Sequence, residues 1–290
     1  MAGRSSRAVL ITGCSSGIGR AAAELLLERG HAVYATARRD ESVRELARAF
    51  GRFGNRARVG RLDLTEPDTS GTVFDDILDR YGRIDALVNN AAFGQMGAVE
   101  ELSREALRRQ FEVNVVGAID LIRRVLPVMR SAGSGRIINV SSVVAHISTP
   151  FLGAYNASKA ALNSLSESLR MEVARWGIRV ILIEPGAIAT PFRRNALRSL
   201  PAPTAAGPSA YQLQYEAMFK IWRKRAERAA VGPEVVARAI VHAVEARRPR
   251  ARYRMTAIAR LGPLFRPWLP DRVADALIAR SFGLTDQSSD

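Results

Sequence analysis

Residues 7–30 read RAVLITGCSSGIGRAAAELLLERG. The run Arg7–Thr12 is short and apolar, the pattern of a strand buried on both faces. It passes into Gly13-Cys-Ser-Ser-Gly17-Ile-Gly19 and then into a helical run closed by Gly30. Strand, glycine-rich turn and helix form the first half of a βαβ unit that binds dinucleotides. The glycines let the backbone turn tightly and approach a pyrophosphate, and the helix N-terminus presents unpaired N–H groups to it. The candidate contacts are Thr12, Gly13, Ser15, Ser16, Gly17, Ile18 and Gly19. The spacing is G-x-x-x-G-x-G, not G-x-G-x-x-G. In isolation such a string also serves as an ordinary strand-to-helix turn.

The same alternation continues outward. A second strand, HAVYATA (31–37), runs into Arg38 and Arg39. An acid at this position would hold the ribose 2′-hydroxyl of NAD, whereas arginine accommodates a 2′-phosphate. Here Ala37 is followed by Arg38, which favours NADP(H) over NAD, with Arg39 the weaker candidate because it can point to solvent. A helix over about 41–50 and a strand RARVGRLDL (56–64) follow. Asp63, beside Leu64, either reaches an adenine amino group or caps the helix starting near Pro67. The strand IDALVNN (84–90) ends in Asn89, Asn90 and Ala91, with Ala92 next. Phe93 and Met96, in a glycine-flanked loop, either line a substrate pocket or fill core.

Residues 103–131 read as one long helix with Ser103 as N-cap, interrupted in its apolar stretch by Asn114, whose buried amide needs partners. An apolar run, IINV (137–140), delivers Ser142 to a sheet edge. The loop beyond carries His146, Phe151 and Leu152, pocket candidates ahead of a helix over about 153–176. That helix places Tyr155 and Lys159 four residues apart on one face. An ammonium near a phenol lowers a pKa that is ordinarily about 10, and a phenol so tuned exchanges a proton with a substrate oxygen. A sixth strand, IRVILIEPG (178–186), ends in Pro185 and Gly186. Ile188 and Thr190 follow, Thr190 being placed to bond a carboxamide or to cap the next helix.

Residues 191–229 change character. Phe192 opens them, PAPTAAGPS (201–209) breaks them, and YQLQYEAMFKIWRKRAER (211–228) is amphipathic. A long excursion here suits a lid over a pocket. A helix over 233–246 leads to a last strand, ARYRM (251–255), and the tail holds LGPLFRPWLP (261–270) and an apolar helix over 271–284.

The chain's 290 residues carry a net charge of +15, and only Lys159, Lys220 and Lys224 among its 43 basic residues are lysine. The arginines are scattered singly on periodic helices without interleaved aromatics, so a solvated surface is expected and nucleic acid is not. Cys14 is the only cysteine, which excludes an intrachain disulfide. The basic start carries too short an apolar run for a signal peptide, and no stretch approaches the ~20 apolar residues of a membrane span. A cytoplasmic protein is expected. Three histidines suggest no metal site.

Taken together, Thr12-Gly13-x-x-x-Gly17-Ile18-Gly19, Asp63, the Asn-Asn-Ala run at 89–91, Asn114, Ser142, Tyr155-x-x-x-Lys159, and Pro185-Gly186 with Thr190 resemble the short-chain dehydrogenase/reductase family over roughly residues 5–255. The resemblance implies an α/β fold: a Rossmann-like doubly wound parallel sheet in strand order 3-2-1-4-5-6-7, in a single domain over 1–255 with a C-terminal helical extension over 256–290. It implies a catalytic tetrad of Asn114, Ser142, Tyr155 and Lys159, with Tyr155 as general acid or base. Lys159 would hold nicotinamide ribose hydroxyls, and Asn114 would link Lys159 to a water chain. Asn90, Ala91, Pro185, Gly186, Ile188 and Thr190 are implied cofactor contacts. One departure is Ala92, where the family usually has glycine. The turn sequence, VYATARR and the tail ending in RSFGL are similar to the branch containing 17β-hydroxysteroid and retinol dehydrogenases. That implies a lipophilic alcohol or carbonyl substrate, with Phe93, Met96, His146, Phe151, Leu152 and Phe192 around it, and a homo-oligomer assembled through the helices near 103–131 and 153–176. Two readings compete: a non-catalytic NADP-sensing regulator, and a basic surface that binds nucleic acid or rests peripherally on a membrane.

Overall fold

The alternating apolar runs become seven strands, all parallel: β1 (Ala8–Ile11), β2 (Ala32–Ala37), β3 (Ala57–Arg61), β4 (Ala86–Asn89), β5 (Gly135–Val140), β6 (Ile178–Glu184) and β7 (Arg252–Arg254). The computed structural model describes residues 6–200, 209–227 and 231–284, with backbone only for 222–227. The strands hydrogen-bond in the order β3-β2-β1-β4-β5-β6-β7, as expected. The chain therefore starts in the middle of the sheet, builds outward one way, and returns to build the other way from β4. The β1/β4 junction is the switch point, outside whose carboxyl ends such sheets bind ligands.

Period-two alternation sends side chains to two cores. Val9, Ile11, Ile138, Ile181 and Ile183 face α1 (Gly17–Glu28), α2 (Asp40–Phe50) and a later helix, α9 (Pro233–Glu245). Leu10, Leu87, Ile137 and Val180 face α3 (Pro67–Tyr81) and α5 (Gly117–Ser131) on the other side. Burying each such Leu, Ile or Val contributes about 1.5–3 kcal/mol.

The long helix expected over 103–131 is two helices joined by a wider turn. Ser103 caps α4 (Arg104–Phe111), its hydroxyl accepting from Ala106 N–H at 3.1 Å. A π turn over Glu112–Val116 then leads into α5. Such bulges are frequent at functional sites, and this one carries Asn114. The next helix, α6 (Gly153–Glu172), ends earlier than read, with a 3₁₀ turn over Ala174–Trp176 completing the segment before Gly177.

Beyond β6, α7 (Phe192–Leu197) and α8 (Gln212–Glu227) occupy the expected lid region. Most of its proline-rich break, 201–208, lies outside the described residues, as does 228–230. The tail forms α10 (Ala257–Phe265), a 3₁₀ turn over Arg266–Trp268, and α11 (Asp271–Phe282).

Candidate active site

The glycine turn is built by close backbone packing. A Cβ on Gly13, whose φ is +71°, would lie 2.8 Å from Ala91 Cα; one on Gly19 would lie 2.5 Å from both Asn90 Nδ2 and Gly13 O. Thr12 Oγ1 accepts from Asn90 N–H at 3.0 Å and Ala91 N–H at 2.9 Å, tying β1 to β4. Asn90 Nδ2 returns bonds to Thr12 O at 2.9 Å and Gly13 O at 3.1 Å. Thr12 and Asn90 thus hold the turn's shape. Ala92 does not have a positive φ, so its methyl adds no backbone strain where the family pattern has glycine. Ser15 and Ser16 are exposed, Ser16 makes no side-chain cap, and the first turn of α1 holds no acid. These N–H groups stand open to an anion. Cys14 is fully buried, and burial pushes its thiol up to about 12.

At the ends of β2 and β3, Arg38 and Arg39 are exposed and make no side-chain hydrogen bond or ion pair among the described residues. Arg61 beside them is engaged by Glu66 at 2.8 Å. Asp63 does not cap α3. Its Oδ1 accepts from Thr65 N–H at 3.0 Å and Thr65 Oγ1 at 2.8 Å, a local turn, while Glu66 occupies the N-cap. Leu64 is core, packed where a side chain on Gly117 would stand.

Three elements carry the tetrad residues. The 3₁₀ turn after β5 begins at Ser142, whose hydroxyl accepts from Val144 N–H at 3.3 Å and bonds the Tyr155 phenol. Tyr155 and Lys159 lie one turn apart on α6, both buried, with Lys159 Nζ 5.8 Å from the Tyr155 ring centre. The ammonium donates to Val140 O at 2.8 Å, at the end of β5. Burial pushes Lys159 down to about 8. The lowered tyrosine pKa expected from the sequence does not appear. Burial pushes Tyr155 up to about 12, and the opposing influence is the Ser142 hydrogen bond. Asn114 meets α6 at Ser158, with Nδ2 donating to Ser158 Oγ at 3.1 Å, and its amide also bonds the Phe93 backbone.

An apolar cluster adjoins the phenol. The Phe192 ring centre is 5.0 Å from that of Tyr155, and the absence of a side chain at Gly94 makes room for it. Phe151 and Leu152 lie in the same cluster with Tyr215 and Met218 of α8 and Phe282 of α11. Phe151 adopts φ +60°, the only non-glycine residue with positive φ among those described, and its ring meets Tyr215 at 4.8 Å. Phe93 is half-buried with the Arg109 guanidinium 5.9 Å from its ring centre. Met96 is fully buried in the cluster and follows the core alternative.

His146 turns its ring toward the end of β6. Its Nε2 donates to Glu184 Oε1 at 2.9 Å. Glu184, fully buried at the end of β6, also accepts from Asn163 Nδ2 at 3.2 Å, Arg254 Nε at 2.8 Å and Arg252. Burial alone would raise its carboxyl, but the hydrogen bonds from His146 and Arg254 and the charge of Arg252 outweigh that and hold it near 2. Pro185 O accepts from Val143 N–H at 2.9 Å. Gly186 lies against the tail, where a Cβ would be 2.2 Å from Thr256 Oγ1. Ile188 bridges to Val231, and the Thr190 hydroxyl accepts from Phe192 N–H at 3.4 Å, a local turn beside the N-cap residue of α7, Pro191. Thr190 Cγ2 also lies 3.1 Å from where a Gly17 Cβ would be, closing this loop over the glycine turn.

Sequence reasoning misses Ser158, Tyr215 and Glu184, and also Gln110, whose Nε2 donates to Phe93 O at 3.0 Å and whose Oε1 accepts from Gln95 N–H at 2.6 Å. A lone acid ending an apolar strand was the available signal for Glu184. The other three sit at polar positions of periodic helices and carry no distinguishing pattern.

The sequence model for the family described as short chain dehydrogenase matches residues 7–200. The chain is a short-chain dehydrogenase/reductase. It is 36% identical over 273 residues to an uncharacterized oxidoreductase, YbbO, of Escherichia coli, covering 94% of each chain. It is 33% identical to a 3-ketodihydrosphingosine reductase of Bacteroides thetaiotaomicron, over 91% of this chain and 94% of that one. Human retinol dehydrogenase 5 is 33% identical over 93% and 87% of the two chains. A short-chain dehydrogenase/reductase from Burkholderia phymatum, solved in complex with NAD, superposes with a TM-score of 0.78 at 25% identity, with full coverage of both chains. The chain is thus an oxidoreductase of the short-chain dehydrogenase/reductase family, and its sheet order is the one the family resemblance implied.

Proposed function

We propose that this protein is an NADP(H)-dependent oxidoreductase that interconverts a lipophilic alcohol and its ketone or aldehyde. The observation that carries the reading is Tyr155: a buried phenol bonded to Ser142, one turn from a buried lysine, against an apolar cluster. The cleft fits a dinucleotide. The turn around Gly13, Gly17 and Gly19 has no room for side chains, and the α1 N-terminus is open. Arg38, with no side-chain partner among the described residues, and Arg39 would take the 2′-phosphate that distinguishes NADP(H).

When bound, the nicotinamide supplies the hydride chemistry. The protein's part concerns the substrate oxygen. In reduction Tyr155 Oη delivers its proton to that oxygen, and in oxidation it receives it. Ser142 Oγ steadies the charge that develops there. Lys159, held by Val140 O, keeps a positive charge beside the phenol and favours the phenolate left after transfer. Asn114 fixes the loop at Phe93 that borders the site. The aromatic cluster excludes water and selects an apolar substrate. The printed names of two relatives, a 3-ketodihydrosphingosine reductase and a retinol dehydrogenase, support that class.

We take residues 1–255 as the cofactor-binding domain, with 191–229 as its lid and 256–290 as its extension. We further read the protein as a cytoplasmic homo-oligomer. Support comes from partly exposed Leu107, Phe111, Val116 and Leu165 on and around α4 and α6, and from the lone buried Cys14. A panel of steroid, retinoid and fatty-aldehyde substrates, followed by NADPH absorbance, tests the reading. Tyr155→Phe should reduce turnover by about 10²–10⁴-fold and leave NADPH binding intact. Undiminished turnover would overturn the assignment of Tyr155.

A further inference from the structure

The tail helices leave one face uncovered. On α10 and the turn after it, Ile258, Leu261, Phe265 and Trp268 follow each other at spacings of three and four, which puts them on one helical face. All four are more than half exposed, and Trp268 is 86% exposed. Leu264 extends that apolar surface at 57%, and Leu277 on α11 is equally exposed. Contiguous exposed apolar area of this kind marks an interaction site.

The opposite faces of the same helices are committed. A Cβ on Gly262 would lie 2.4 Å from Ile147 Cδ1, so α10 seats directly on the loop between Ser142 and Tyr155. Phe282 of α11 is buried in the cluster that contains Tyr155, Tyr215 and Met218, and Ile278 packs against it. The tail is therefore a wall of the pocket on its inner side and apolar on its outer side.

We infer that this outer face docks on an anionic lipid bilayer. Charge selects the occupant. The same tail segment carries Arg260, Arg266, Arg272 and Arg280 against Asp271 and Asp275, and Asp271 is already paired with Arg266 at 2.7 Å. Arg272 and Arg280 have no side-chain partner among the described residues. A second copy would bring the same arginines against their own kind, which disfavours self-association. An anionic lipid surface complements them, and an interfacial helix with leucine, phenylalanine and tryptophan on one side and arginine at its flanks is built to lie in that surface. No helix among the described residues is long and apolar enough to cross a membrane, so the contact is peripheral. Docked this way, the pocket wall lies at the lipid, where an apolar substrate partitions. This last consequence rests on the lipophilic-substrate reading; the docking itself does not.

The full chain should co-sediment with vesicles of phosphatidylcholine containing phosphatidylglycerol, with affinity falling steeply as salt rises, and at least tenfold less with phosphatidylcholine alone. The double variant Phe265→Glu/Trp268→Glu, at two exposed positions, should lose at least tenfold in vesicle binding. Its circular dichroism and its turnover of a short, water-soluble carbonyl compound should be unchanged. Arg272→Glu/Arg280→Glu should remove the preference for anionic vesicles. Equal retention on both vesicle types, or no retention, would overturn the inference. So would a fall in oligomer size by sedimentation velocity on making Phe265→Glu/Trp268→Glu, which would assign the face to a second copy. Vesicle binding without turnover of any lipophilic substrate would sink the substrate reading and leave the docking standing.

Discussion

Asn114 grips the backbone of Phe93 from both sides: its Oδ1 accepts from Phe93 N–H at 3.1 Å while its Nδ2 donates to Phe93 O at 3.0 Å. The same Nδ2 reaches Ser158 Oγ at 3.1 Å, and Ser158 Oγ donates to Tyr155 O at 2.8 Å. One amide thus fixes the loop after β4 relative to the residue proposed to move the proton. Asn114→Ala leaves the Phe93 amide without an acceptor, at a cost of about 1–3 kcal/mol. Urea denaturation should read that loss, and hydrogen exchange should show the Phe93 amide losing protection.

Lys159 carries a pH prediction with a definite sign. Burial depresses its ammonium to about 8, while the Tyr155 phenol stays protonated to about 12. Reduction should therefore lose kcat/KM with a single-proton limb near pH 8, and Lys159→Arg, where it retains activity, should move that limb above pH 10. For stability, the unfolded chain binds the proton up to about 10.5 and the folded chain only to about 8. Between those values unfolding takes up a proton, so stability rises with pH, by about 2 kcal/mol from pH 8 to 9.5. Lys159→Met should flatten that rise in urea midpoints.

Arg38→Asp removes a cation at the end of β2 and introduces a carboxylate where a 2′-phosphate would lie. A charge-assisted hydrogen bond is worth about 1.5–3 kcal/mol, so the NADP/NAD ratio of kcat/KM should fall by about 10–100-fold. An unchanged ratio would pass the recognition role to Arg39 or another residue.

Glu184 governs the acid side. Its carboxyl is held from the ordinary 4.5 down to about 2. As pH falls below about 4.5 the unfolded carboxylate takes a proton and the folded one does not, so stability is lost from there down to about 2. The full effect is on the order of 3 kcal/mol. Glu184→Gln should be less stable at pH 7 by a similar amount and should lack that acid slope. Urea midpoints at pH 7, 5 and 3 compare the two.

Much of this site is legible in the chain because its parts are local. Gly13, Gly17 and Gly19 lie within one turn, and Tyr155 and Lys159 within another, so spacing alone places them. The sheet order, by contrast, came from the family resemblance. What escaped has other causes. The π turn at Glu112–Val116 inserts one extra residue per turn over a single cycle, too brief to disturb an apolar period. His146 reads as a pocket residue because its partner Glu184 is 38 positions away, and the arginines completing that cluster are about 70 beyond Glu184. The raised tyrosine pKa has no sequence signal, because spacing reports which groups are near but not how much water they have lost.

The contact between Gly186 and Thr256 bears on how this protein can be cut and recombined. Thr256 caps α10 with its hydroxyl, accepting from Ala259 N–H at 3.2 Å, and the same oxygen fills the space a side chain at 186 would need. A truncation after residue 255 would strip one flank from the loop that follows β6, and grafting a foreign tail would require a residue of matching size at 256. The extension and the loop it abuts are interchangeable between relatives only as a set.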